Sequence, residues 1–237
     1  MNPKLRSAGI AGILTGVALA GEFIFFMMSG YNPQALSDPA AALAFLKESG
    51  TYIRVAVLFG AAGVAFRTLF VSGLAANLYA KTPTRAVATL YFGLLGGAGH
   101  GLVALSFYIG IPMLITLAAT DLAAAKNSWG VYSTIVSGFE GFGNFLIALM
   151  LLAAGLAMIS QKAMPVGLGW VGFLAGIATL VRVFTTGTAL AGLTFAVFFP
   201  SLLLAGLFDV WAGIALIKNG AREHWPAIKA MYKITLG

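Results

Sequence analysis

Apolar residues come in six long runs, each interrupted by no more than one ionisable side chain in its interior, and the polar and turn-forming residues are confined to short stretches between the runs. A bilayer core needs about 20 apolar residues in a helix. The pattern predicts spans at 9–29, 53–79, 86–110, 132–159, 166–184 and 189–217, joined by short loops in a single all-α transmembrane bundle.

Two segments between the spans carry structure of their own. Asp38-Pro39 has the form of a helix N-cap followed by proline at the first helical position. Leu43, Phe45, Leu46 and Lys47 then continue it as a short amphipathic helix suited to the interface. After span three, Pro112 to Ala125 is apolar but too long to add to one span. Two outcomes are expected: a kink near Gly110 and Pro112, or a second helix lying on the membrane surface. Beyond span six, Trp225, Ile228, Met231, Tyr232 and Ile234 beside Lys229 and Lys233 read as an interfacial tail.

Composition agrees with the run pattern. At 60% hydrophobic, 9% charged and a mean hydropathy of +0.95, the chain is excluded from the soluble globular class. There are no cysteines, so disulfides, thiolate metal sites and iron-sulfur clusters are excluded.

The net charge of +7 is explained by topology rather than by nucleic acid. With both termini on one side, Lys4, Arg6, Lys81, Arg85, Lys162, Lys218, Arg222, Lys229 and Lys233 fall together, against Lys47, Arg54 and Lys126 on the other side. The positive-inside rule then puts both termini in the cytoplasm, in a plasma (inner) membrane protein. Lys4 and Arg6, the apolar run from Ile10 to Val17 and Ala18-Leu19-Ala20 have the form of a leader peptide. The run continues through Met28 to full spanning length, so the segment is expected to be span one.

The candidate chemistry lies inside the spans: Glu22, Arg67, His100, Glu140, Arg182 and Asp209, one per span. Charged groups at mid-bilayer cost at least about 2.5–3.5 kcal/mol each, so they face the bundle interior and pair. Glu22 lies 16 residues from Arg6, Arg67 lies 14 from Lys81 and His100 lies 15 from Arg85, a spread of about 3 Å in height. These three are expected to form one polar cluster. Glu140 and Arg182, at 22 and 20 residues from Lys162, form an expected outer pair, and Asp209, 9 from Lys218, is expected to stand alone. Such a layer reads either as a structural network that fixes helix order or as a path for protons, ions or a polar solute, with His100 titrating near neutral pH. The order Glu, Arg, His then Glu, Arg, Asp, with separations of 118, 115 and 109 residues, hints at a three-plus-three duplication, although the polar groups do not stand at mirrored heights.

Small residues set the expected packing: Gly93, Gly97 and Gly101 in span three, Gly12, Gly16 and Ala20 in span one, Gly172 and Gly176 in span five. The run from Gly96 to Gly101 lacks the spacing of a dinucleotide fingerprint. His100 and His224 are the only histidines and stand too far apart in depth to share a metal, leaving a single-histidine haem at His100 as the one haem option. Asp38, Glu48 and Asp121 are the only outer acids, which argues against an enzyme.

Four motifs carry a resemblance: Tyr52-Ile53-Arg54-Val55, Leu78-Tyr79-Ala80 before Arg85, Ala163-Met164-Pro165-Val166-Gly167-Leu168-Gly169, and Gly206-Leu207-Phe208-Asp209-Val210-Trp211. Through them spans two to six resemble a bacterial six-span membrane family, domain of unknown function 4386. The resemblance implies the six-span fold and an acidic residue in span six, the place that Asp209 takes, and it implies no activity.

Three functions are compatible with these readings. The first is a non-enzymatic accessory or scaffold subunit, with membrane partners or as a homo-oligomer. The second is a small transporter or proton-coupled carrier using the intramembrane charges, and the third binds a lipophilic ligand or cofactor of unknown identity between the glycine-faced helices.

Overall fold

The computed structural model describes residues 3–30 and 38–219, and the predicted tail with Trp225 and His224 lies outside the described residues. Seven helices follow in order: α1 (Pro3–Met28), α2 (Pro39–Glu48), α3 (Gly50–Tyr79), α4 (Pro83–Thr120), α5 (Leu122–Gln161), α6 (Val166–Thr185) and α7 (Ala191–Asn219). All but α2 are long and apolar enough to cross a membrane. The chain is therefore an all-α polytopic bundle.

The six long helices form a closed ring. Each packs mainly on its neighbours in sequence, and α1 closes the circle against α7. Antiparallel contact between α1 and α7 depends on missing side chains. A Cβ on Gly9 would stand 2.5 Å from the Gly213 carbonyl oxygen, and one on Gly213 would stand 2.5 Å from that of Gly9. Backbones approach this closely only where small residues face each other. The same device joins α4 to α5 at Gly99 and Gly143, and α5 to α6 at Gly155 and Gly169.

In α4 the tight face is therefore Gly96 and Gly99 against Ile147 and Gly143. Gly97 and Gly101, singled out by their spacing of four, meet only Val64 at ordinary contact distance. The α5 partner decides which glycines are squeezed, and spacing within α4 carries no information about that partner.

Where the ring begins and ends, its interior is shut. Phe70, Leu74, Leu78, Met150, Leu151, Met158, Leu168, Phe208 and Leu216 are fully buried in one apolar cluster, here called the base, at the end where α1 starts and α7 finishes. Two cations tighten the base: Lys81 Nζ donates to the Lys162 carbonyl at 3.0 Å, and Arg85 Nη1 donates to the Leu156 carbonyl at 2.9 Å and to Ser160 Oγ. Lys81 thus caps the residue that ends α5, and Arg85 binds its penultimate turn, where Ser160 Oγ also donates to the Leu156 carbonyl.

At the opposite end α2 forms as its sequence signals. The Asp38 side chain accepts from the Ala40 N–H at 3.1 Å, with Pro39 beginning the helix. Ala42, Leu43 and Leu46 pack with Ile53, Val57, Ile111, Leu114, Ala125 and Trp129 in a second cluster that joins α2 to the ends of α3, α4 and α5. Ser49 Oγ donates to the Ser29 carbonyl at 2.9 Å and ties this cap to the end of α1.

Of the two alternatives expected for Pro112–Ala125, the separate surface helix is corrected. Helix α4 runs unbroken through Pro112 for 38 residues, about 57 Å at 1.5 Å per residue, and α5 begins at Leu122, ten residues before the predicted start of span four. Pro112 removes one backbone donor, and the helix carries on across the gap. Asp121 makes the turn: its N–H donates to the Leu117 carbonyl, and its carboxylate accepts from the Ala124 N–H at 2.9 Å. This α4–α5 hairpin extends past the roughly 30 Å hydrocarbon core, and α2 packs against it.

Candidate ion layer inside the ring

The six ionisable residues stand one on each ring helix; Arg67, His100 and Glu140 fall between the two apolar clusters along α3, α4 and α5, and Asp209 lies among the base residues of α7. Arg67 Nη2 donates to Asp209 Oδ2 at 2.7 Å, an ion pair across the ring from α3 to α7. Asp209 is 1% exposed. The expectation that Asp209 stands alone is thus corrected. Five residues of helix separate their counted depths, about 7.5 Å at 1.5 Å per residue, and the long arginine side chain bridges that difference. The pair is made through one contact, since Arg67 Nε and Asp209 Oδ1 are both buried without a partner.

Glu22 points from α1 toward α3. Its Oε1 lies 3.0 Å from where a Cβ on Gly60 would stand, so that glycine makes the room it occupies. Gly60 and Arg67 are seven residues apart and share a face of α3. Glu22 is within coulombic reach of Arg67 and also of Glu140 on α5. Helices α1 and α5 stand on opposite sides of the ring and share no interface. Glu22 is half-buried and Glu140 is exposed.

His100 Nε2 is 3.3 Å from Asn144 Oδ1, a contact made where Gly99 and Gly143 let α4 and α5 come together. Arg67 and Arg182 both lie within coulombic reach of it. Asn144 was missed in the sequence because a neutral amide in a span carries no large insertion cost. The available signal was its position four residues after Glu140, on the same face of α5.

Arg182 is buried near the end of α6, with its guanidinium 5.3 Å from the centre of the Phe198 ring on α7. A cation over an aromatic face is favourable, more so out of water. Glu140 is within coulombic reach of Arg182. The expected outer pair is therefore an electrostatic neighbourhood, and no hydrogen bond joins the two among the described residues.

The expected cluster of Glu22, Arg67 and His100 is likewise loose: Arg67 is the common neighbour, and it makes its one direct bond to Asp209. Taken together, the acids and arginines form a sequence of neighbours in space: Asp209, Arg67, Glu22, Glu140, Arg182. Only its first link is a direct contact, Arg67 with Asp209 at 2.7 Å. Among the described residues no three histidines or carboxylates converge as a metal site would require.

Comparison of the chain with known protein families, with curated proteins and with solved structures finds no match.

Proposed function

We propose that the protein is a small carrier in the plasma membrane, with the base of the ring in the cytoplasm, and that the ion layer is the place where a proton or small ionic solute is held during passage. One observation carries this reading. Each of the six ring helices carries an ionisable side chain within its apolar run, and Arg67 and Asp209 pair at 2.7 Å between α3 and α7, which are separated in the ring by α1. A network that served only to fix helix order would pair groups on packed neighbours and satisfy their hydrogen bonds. Here the buried ion pair joins helices that are not ring neighbours and keeps an unpaired donor and an unpaired acceptor. Intramembrane ionisable residues in such an arrangement mark ion and proton routes.

The orientation in this proposal rests on the basic residues of the base, with Lys81, Arg85 and Lys162 at its loops. The test is reconstitution into liposomes that trap a pH-sensitive dye, with a pH gradient and a potassium diffusion potential imposed. The expected result is proton flux above that of protein-free vesicles, abolished by His100→Ala in a variant that keeps its unfolding temperature. Flux equal to protein-free vesicles under every gradient would overturn the reading.

A second reading has its own observation. The outer part of the α4–α5 hairpin exposes Tyr108, Met113, Val131 and Ile135, each more than half accessible. Apolar surface of that kind suits a companion subunit, and the protein would then be an accessory component of a membrane assembly. Native mass spectrometry of the gently extracted protein distinguishes the two: a defined heteromeric mass supports the accessory reading, and a lone protomer removes it.

A further inference from the structure

We propose that Arg182 anchors a binding site for a small organic carboxylate between α6 and α7, toward the α2 end of the ring. Its place follows from the surroundings of Arg182, and its use, as the position of the transported solute, rests on the carrier reading.

The sequence of α6 turns this arginine inward. Leu168, Gly172, Ala175, Thr179 and Arg182 recur at intervals of three and four and are all buried, so they form the stripe by which α6 faces its neighbours α5 and α7. Arg182 is only 8% exposed although α6 ends at Thr185. A long cationic side chain so near the end of a span ordinarily extends outward to water, and this one stays within the bundle.

No acceptor among the described residues answers its charge. The hydrogen bonds at Arg182 are made by its backbone carbonyl, which accepts from Thr186 Oγ1 at 2.7 Å, and the five N–H donors of the guanidinium have no acceptor there. The one ion pair among the described residues is that of Arg67 with Asp209, so no carboxylate is paired with Arg182. Its neighbour is the Phe198 ring, 5.3 Å from the guanidinium carbon. An aromatic face attracts the cation and accepts none of its in-plane hydrogen bonds. Unlike Arg67 Nε, the nitrogens of Arg182 are not sealed by protein, so the donors border open space although the residue as a whole is buried.

This combination selects a ligand by charge and shape. One guanidinium with a free fork of donors matches one negative charge, and a carboxylate meets the fork by accepting two parallel N–H···O bonds. A phosphate dianion would need a second cation, and Arg67, the other arginine in the interior of a span, is already engaged by Asp209. Phe198 adds an apolar wall on which the organic part of a carboxylate can pack and which a chloride ion cannot use.

The test is equilibrium binding of radiolabelled acetate and benzoate to the full-length protein in phosphatidylcholine nanodiscs, at constant ionic strength, with unlabelled chloride and phosphate as competitors. The expected result is saturable binding of at least one of the two carboxylates, not displaced by equal chloride or phosphate. Binding is weakened about tenfold or more in Arg182→Gln and unchanged in Arg54→Gln, at an exposed position on α3. Without ligand, Arg182→Gln unfolds no earlier than the parent, because it removes a charge that has no partner, and added carboxylate no longer raises its unfolding temperature. Arg182→Lys keeps the charge and loses the fork; it is likewise weakened, and it keeps the test decisive if the Gln variant does not fold. No saturable binding of either carboxylate, binding unchanged in the Arg182 variants, or equal displacement by chloride overturns the proposal. Binding as expected in a protein that moves neither protons nor the bound carboxylate across sealed vesicles retains the site and removes the carrier reading.

Discussion

Arg67 and Asp209 show what a buried ion pair contributes and what it does not. Two charges removed from water lose hydration that their attraction only partly restores, so the pair adds little net stability, whereas a single survivor is left uncompensated. Arg67→Met alone is expected to cost about 3–5 kcal/mol, and the double variant Arg67→Met/Asp209→Leu to return to within about 1–2 kcal/mol of the parent. Equilibrium unfolding in mixed micelles measures both; a double variant as unstable as the single one would show that the pair holds the ring by more than charge. Every charged member of this layer was visible in the sequence, because charge inside an apolar run stands out. The partnership was not visible, because counting residues from the basic anchors gives Cα heights and ignores the reach of a side chain. Asn144 and Phe198 were invisible for another reason: neither is unusual in a span until a partner faces it.

At the scale of helices, the runs located spans one, two, five and six to within a few residues, apart from the six further residues at the start of α1. At α4 and α5 the helices run about ten residues beyond the predicted spans on the α2 side. Hydropathy reports how much of a helix suits lipid, and it is silent on whether a helix continues beyond the bilayer once α2 supplies a second apolar surface to pack on. Glycine spacing found the squeezed positions Gly12, Gly16, Gly93, Gly172 and Gly176 but misplaced the tight face beyond Gly93 in α4, where the opposing helix selects Gly96 and Gly99 rather than Gly97 and Gly101. Gly213→Leu would collide with α1, and the expected result is a strongly lowered unfolding temperature or loss of the folded protein from membranes. Gly130, in α5 with open space around it, gives the opposite expectation: Gly130→Ala is stabilising by about 0.5–1 kcal/mol, through helix propensity alone. A destabilised Gly130→Ala in thermal unfolding would mean that this end of the hairpin has a contact partner.

Considered whole, the molecule is a ring with an apolar cluster toward each end. Phe70 and Phe208, both fully buried, lie in the base within four residues of Arg67 and Asp209 on their own helices, so the ion pair borders that apolar cluster. The absence of cysteine makes the asymmetry measurable. A single cysteine at position 140 is expected to react with a membrane-impermeant maleimide added from the α2 side, and one replacing the fully buried Met150 is expected to stay unlabelled from both sides. Labelling of position 140 only from the base side would reverse the polarity of the molecule. The closed arrangement itself was not legible from the chain, because nothing in six similar apolar runs says whether the first and last of them touch.

That closure has a consequence for how the protein is made. Arg67 and Asp209 are 142 residues apart, so at about 5–20 residues per second the ribosome delivers the arginine roughly 7–28 s before its aspartate. In that interval Glu22 is the one acid already within a span, later joined by Glu140. The nascent chain therefore carries its arginine into the lipid beside a temporary partner, and exchanges that partner only when the final helix arrives and completes the circle against the first.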